Sequence, residues 1–573
     1  MKQTILIILI LCLCLTTFPT GTAAEFGLPR EALLSALFEA DISALRQALE
    51  LQLVTCEELT AYYLERITAY DDPFNCFITI CDDALEVARQ RDRQLAEGTA
   101  EGLLFGIPVV IKDNMDLKGF VTTNGKKLES PTPADSSADV VEYLLSEGAV
   151  IIAKTNMSTE AQSSRDSISA VSGETKNAYS RYMAAGGSSG GSAVAVSLNF
   201  AAAALGTDTN SSLRLPAALN GCVSLRPTYK LVSVSGIKRL NSTRDTAGAI
   251  TRTVYDQALL LDVLTGGEYG YTENLNPNAL QGLRIGVLEE LAYPLSYGYR
   301  KEENADAEVA AAFENALREL EECGAEVIPV SMPQLFPLSE ATLKDNDAAL
   351  KDALYKEFQE LLTENHLAAV VFPTYLSTPQ HSGRDADGVY WNVWDQPFIN
   401  NCPVLAPSAR VPEISVPIGV HSLGAGIGME IVADLNCEQL LLDIAYTYTQ
   451  RFDHRQIPEG APDTYAVSNT GTLQEHIAAY DLFLNPPPTE TTQPTVPTTI
   501  APTEPVTVPT TAAPTVPETI PPVSNLTKPD YHMIFWVLTL VLLVISLMIV
   551  EAERLRRLKK RRKCRKKSPT TPR

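Results

Sequence analysis

The sequence predicts an α/β body with a largely buried sheet. Three observations lead there: short apolar runs alternate with stretches of helical periodicity, the runs are unbroken as strands covered on both faces must be, and helix caps punctuate the pattern. With 573 residues, 45% of them hydrophobic, the chain is long enough for one large core or two ordinary ones. Thr55-Cys56-Glu57-Glu58 has the form of a capping box, and Leu59, Tyr63 and Ile67 follow at helical spacing. Ala84 to Leu95 reads as a second helix. Gly106 to Ile111 reads as a buried strand that delivers Lys112 at its end. Val140 to Leu145 suits a helix and Val150 to Ala153 a strand. A glycine-rich loop, 186–192, precedes an apolar stretch read as one helix from Ala193 to Leu205. Val309, Phe313, Leu317 and Leu320 mark an amphipathic helix closed by Gly324, before strands at Glu326 to Val330 and Ala368 to Phe372. There is no internal repeat.

The two ends have a different composition. Met1-Lys2, the apolar run Ile5 to Leu15 and the small residues up to Ala24 describe a secretory signal peptide over 1–24. Residues 25–485 are the expected folded body, and 486–529 a Pro/Thr-rich stalk, disordered and partly polyproline II, whose contour length is about 130 Å at ~3.1 Å per residue. Met533 to Val550 contains no charge, and Tyr531 and Trp536 lie where an interfacial belt would be, so 530–550 is expected to span a membrane once. The tail, 551–573, carries twelve Lys and Arg against two Glu, which places it in the cytoplasm and the body outside the cell. That tail is +10 in a chain of −23, so the remainder is −33. Such an acidic body argues against a nucleic-acid partner. Seven cysteines lie within the body without metal-ligand spacing, and they are expected to be free and buried, with no metal site.

Chemistry concentrates between residues 106 and 228. A nucleophile and a base are present there without histidine, since all six histidines lie beyond residue 360. Gly191-Ser192 lacks the lysine of a phosphate loop, and no Gly-x-Ser-x-Gly elbow is present. What remains is Lys112 followed by two serine-bearing turns, Gly186-Gly187-Ser188-Ser189-Gly190-Gly191-Ser192 and Gly206-Thr207-Asp208-Thr209-Asn210-Ser211-Ser212. An amine can activate a hydroxyl as an imidazole does.

These residues resemble the amidase signature family. The resemblance spans about residues 45–455 and includes Gly106-Ile107-Pro108-Val109, Lys112-Asp113-Asn114, Lys154-Thr155-Asn156-Met157-Ser158, the two serine turns, Leu225-Arg226-Pro227-Thr228, Phe372-Pro373-Thr374 and Pro412-Glu413-Ile414-Ser415-Val416-Pro417. It implies a single large domain with a mixed β-sheet core flanked by helices. It also implies an amide hydrolase without metal or organic cofactor, acting on a small-molecule or peptide amide through an acyl-serine. By resemblance Ser212 is the nucleophile, Ser188 a bridging serine in a cis peptide, and Lys112 the base. The backbone N–H groups of Thr209, Asn210, Ser211 and Ser212 form the oxyanion hole, and Asp208 and Arg214 support the site. Lys126 and Lys127 are read as solvated surface. One departure stands out: Asn210-Ser211 occupies the place of the family's Gly-Gly, where glycine permits φ > 0 and close approach of substrate. A reshaped oxyanion hole or narrowed acyl pocket is therefore expected, and the alternative reading is a catalytically impaired amidase fold that serves as a surface binding module.

Overall fold

The computed structural model describes residues 30–293, 302–345, 347–384, 389–465 and 472–484. The expected signal peptide, stalk, membrane helix and basic tail lie outside the described residues. Among the described residues no helix is long and apolar enough to cross a membrane.

The core is an eleven-stranded mixed sheet. In spatial order its strands are Phe77–Ile80, Val150–Thr155, Pro108–Lys112, Ala203–Asp208, Thr246–Thr251, Val223–Arg226, Glu413–His421, Ala425–Val432, Ala369–Pro373, Arg284–Leu288 and Glu326–Val330. Pro108–Lys112 lies parallel to both Val150–Thr155 and Ala203–Asp208, with Ile111 opposite Leu205. Lys112 therefore ends its strand beside the carboxyl half of Ala203–Asp208, at the edge where open α/β sheets place their ligands. All residues of these three strands are buried, which explains why they read as continuous apolar runs.

Helices cover the sheet. Cys56–Tyr70 opens on the expected capping box: the Thr55 hydroxyl accepts from the Glu58 amide, and the Glu58 carboxylate accepts from the Thr55 amide. Leu59, Tyr63 and Ile67 face the core. Thr55→Ala should cost about 1 kcal/mol of stability, seen as a lower midpoint in urea unfolding. The expected helices and strands at Ala84–Ala96, Asp139–Ser146, Ala307–Glu322 and Glu326–Val330 are present. The described cysteines are free, six of them buried and Cys437 half-buried.

One element differs. The apolar stretch expected as a single helix over Ala193–Leu205 divides into the helix Gly190–Ser197 and the strand Ala203–Asp208. Asn199 turns the chain between them with φ 56°, and its side-chain oxygen accepts from the Glu39 amide at 3.2 Å. Uniform apolarity suits a fully buried helix and a fully buried strand equally, and here the second half gains more by pairing with Pro108–Lys112.

Candidate active site

Lys112 is the last residue of its strand and is completely buried. Its Nζ lies 2.6 Å from Ser188 Oγ, 2.9 Å from Ser189 Oγ and 2.9 Å from Thr207 Oγ1. Three hydroxyls fill the hydrogen-bonding capacity of the amine. An ammonium donates to all three, whereas a neutral amine has two N–H groups and one lone pair, so one hydroxyl must turn and donate to it. Ser189 Oγ donates to the Thr207 carbonyl at 3.3 Å, and Thr207 Oγ1 already accepts from Asn114 at 3.1 Å. Ser188, the nearest, and Thr207 each keep a hydroxyl hydrogen free for this. Burial pushes the lysine pKa down to about 7, against the opposing pull of Asp208 and Asp245. The site is therefore poised to hold or release a proton near neutral pH.

Backbone packing places Ser188 there. The Gly187–Ser188 peptide bond is cis. A β-carbon at Gly187 would overlap the Asp166 carbonyl oxygen, and one at Gly191 the Asn156 carbonyl oxygen. The glycines thus let the loop and the buried helix Gly190–Ser197 sit directly against neighbouring backbone.

Ser212 lies on the turn between the strand Ala203–Asp208 and the helix Arg214–Leu219. Its carbonyl accepts from the Ser189 amide at 3.2 Å, which ties the two serine turns together. Ser212 retains 7% exposure, while Ser188 and Lys112 have none. Of these three residues only Ser212 keeps any exposure. The backbone N–H groups of Asn210, Ser211 and Ser212 have no acceptor among the described residues, leaving three donors in sequence beside the Ser212 hydroxyl.

A buried charge cluster supports this turn. The Asp208 carboxylate accepts from the Leu213 amide at 3.0 Å, from Arg214 at 3.2 and 3.3 Å and from Arg226 at 2.8 Å. Arg214 also pairs with Glu413 at 2.6 Å and donates to the Asn210 carbonyl at 2.7 Å. Glu430 completes the cluster, 3.7 Å from Arg214. Burial raises the Asp208 carboxyl, but Arg214 and Arg226 outweigh it and hold the group below the ordinary range. Burial holds Glu413 well above that range, opposed by Arg214 and reinforced by Glu430. That direction favours the protonated form of Glu413 in this cluster.

The departure at Asn210-Ser211 takes an unexpected form. Among the described residues the left-handed backbone positions include Asn124 and Asn199 but neither Asn210 nor Ser211. Glycine's freedom is not used at this turn. Instead each residue is tied by its side chain: Thr209 donates to Asp245 at 2.6 Å, Asn210 Oδ1 accepts from Arg244 at 3.3 Å, and Ser211 Oγ accepts from Asn400 at 3.3 Å. Lys126 and Lys127 are exposed, and Lys126 pairs with Glu160 at 2.9 Å. Sequence reasoning missed Ser189, Thr207, Glu430, Arg244 and Asn400. Thr207 and Ser189 sit inside motifs already singled out, but nothing local marks the other three.

A family model described as Amidase matches residues 58–345. The chain is 31% identical over 471 residues to a glutamyl-tRNA(Gln) amidotransferase subunit from Chlorobium phaeobacteroides, covering 70% of this chain and 97% of that protein. A protein of the same name from Thermosynechococcus vestitus is 32% identical over 493 residues, covering 72% and 99%. Among solved structures, the native peptide amidase from Stenotrophomonas maltophilia superimposes with a TM-score of 0.63 at 29% identity, over 74% of this chain and 99% of that one. The sheet, the order of its motifs and these matches agree: the chain belongs to the amidase signature family of enzymes.

Proposed function

We propose that the protein is a cell-surface amide hydrolase that works through an acyl-serine on Ser212. The observation that carries this reading is the sealed contact between Lys112 Nζ and Ser188 Oγ at 2.6 Å, beside Ser212, which alone of the three keeps any exposure. In the forward step neutral Lys112 takes the Ser188 proton, Ser188 takes the Ser212 proton, and Ser212 Oγ bonds to the amide carbon. The carbonyl oxygen becomes an oxyanion facing the N–H groups of Thr209 to Ser212. As the tetrahedral species collapses the C–N bond breaks, and the proton held on Lys112 returns through Ser188 to the departing nitrogen. Water, deprotonated by the same relay, then cleaves the acyl ester and restores Ser212.

Asp208 and Arg214 act by positioning: Asp208 receives the Leu213 amide and Arg214 grips the Asn210 carbonyl, so the turn is held from below. Location rests on the apolar run Met533 to Val550 and the basic residues after it, which favour one membrane helix with the body outside. The acidic body weighs against carrying the relatives' tRNA-dependent role to this chain.

A fluorophosphonate serine probe tests the reading. Full-length protein should be labelled at Ser212, with the adduct located by mass spectrometry, and Ser212→Ala should take up no label. A wild type that is folded by circular dichroism but unlabelled would leave only the binding-module alternative.

A further inference from the structure

At the edge of the sheet opposite the catalytic turns lies a cavity of about 370 Å³, a size that suits a small ligand. The strand Thr246–Thr251 runs antiparallel to Ala203–Asp208 and sets Ile250 opposite Ala204. Arg252, on the cavity wall, therefore stands beyond the start of the strand whose far end carries Asp208. Along that strand the two edges are roughly 17 Å apart.

Two arginines line the cavity. Arg252 is only 5% exposed; its Nη1 donates to the Val196 and Ala201 carbonyls at 3.4 and 3.0 Å, and its Nη2 to the Ala40 carbonyl at 2.7 Å. The Arg455 guanidinium forks onto the Glu39 carboxylate and also donates to the Ser197 carbonyl at 3.1 Å. Nε of each arginine is buried without a partner among the described residues, so both keep a donor unsatisfied. Glu39 is fixed in this arrangement. It adopts φ 61°, uncommon for a residue with a side chain, and Asn199 binds both its amide and its carboxylate.

The acids do not balance the arginines. Glu39 is taken by Arg455, and among the described residues no carboxylate pairs with Arg252. Val196 and Ser197 end the helix Gly190–Ser197, whose carbonyl terminus supplies only about half a negative charge. Asp256 acts on Arg252 without pairing with it: its Oδ1 accepts from the Ile42 amide at 3.1 Å. Burial and then Asp41 push its carboxyl up to about 7, so near neutral pH it is only partly ionised. Asp453 lies on the cavity wall but is exposed, where water screens its charge. Within the buried part of the wall, two guanidiniums thus face one carboxylate. The remaining wall includes the apolar side chains of Val223, Val254, Pro417 and Ile457.

We propose that this cavity is a second ligand site, separate from the catalytic one, and that it takes a small monocarboxylate. The planar headgroup matches the guanidinium fork and supplies the missing counter-charge. A short hydrocarbon body lies against Val254, Pro417 and Ile457. One negative charge is the fitting number, because a second would meet Glu39 and Asp453.

Butyrate is the probe, and 2-pentanone its uncharged counterpart of the same shape. Full-length protein is titrated calorimetrically after fluorophosphonate has blocked Ser212, or untreated if it takes up no label, so the result is independent of the amidase reading. Butyrate should bind at one equivalent and at least about ten-fold more tightly than 2-pentanone, the factor one charge-assisted hydrogen bond contributes. Arg252→Gln should weaken butyrate by a similar factor. Ile457→Asp covers the case in which that variant fails to fold, since Ile457 is 52% exposed and its replacement leaves the core intact. It should weaken butyrate about as much, by setting a negative charge against the ligand. Absence of binding, equal binding of the two probes, or a folded variant of either kind that binds butyrate as wild type does overturns the site.

Discussion

Replacing Lys112 with methionine is expected to lower kcat/KM by roughly two to four orders of magnitude, the contribution of a positioned general base. Methionine has similar volume and cannot accept a proton, so the loss isolates the base from the packing. The same group sets the pH dependence. Only the neutral amine accepts a proton, and burial, opposed by Asp208 and Asp245, brings its pKa down to about 7. The wild-type rate should therefore rise about ten-fold per pH unit below 7 and level off above it, because the neutral fraction does so. A profile flat from acid to neutral pH would exclude lysine as the base.

The sign of the accompanying stability effect follows from linkage. Unfolded lysine titrates near ~10.4, so between about 7 and that value the unfolded chain binds the extra proton. Wild-type stability gains from rising pH across this window, and below it the folded protein bears the full cost of burying the charge. Lys112→Met lacks that term. Its stability relative to wild type should therefore decline steadily as pH is raised from 7 to 10, as measured by urea unfolding at fixed ionic strength.

The second large effect is structural. Arg214→Met removes the one group that joins Asp208, Glu413 and the Asn210 carbonyl, all fully buried apart from the turn itself. Breaking a buried pair by deleting one partner costs about 3–5 kcal/mol, because the remaining charge is left without compensation. A fall of that size in unfolding free energy, or failure to accumulate folded protein, is the expected result. Arg214→Lys should recover only part of it, since a point charge cannot reach two carboxylates and a carbonyl as a planar fork does. Glu413→Gln provides the internal check. If Glu413 is protonated, an amide replaces a neutral acid, and the cost should stay within about 1 kcal/mol. A loss as large as that of Arg214→Met would show that Glu413 is ionised.

The elements read correctly from sequence share one property: their signals are local. The Thr55–Glu58 box, the helical spacing of Val309, Phe313, Leu317 and Leu320, and the apolar run ending at Lys112 each express a constraint within a few residues. The helix expected over Ala193–Leu205 failed where that locality ended. Its second half became a strand because Pro108–Lys112 lay beside it, and no pattern inside the run records that neighbour. The described structure likewise keeps Asn210 and Ser211 out of the left-handed region that a comparison with Gly-Gly brought to attention.

What the sequence determined by itself is the inventory of the chemistry: a lysine at a strand end, two serine turns, and glycines where backbone must approach backbone. These are set by residue type and short spacing, which packing does not alter. Tertiary structure alone decided the environment of each group. It surrounded Lys112 with Ser188, Ser189 and Thr207, brought Glu413 and Glu430 beneath a turn that ends at Ser212, and set Arg244 against Asn210. Burial and charge pairing depend on segments far apart in the chain, and they set the direction in which each buried amine and carboxyl is shifted from its ordinary value.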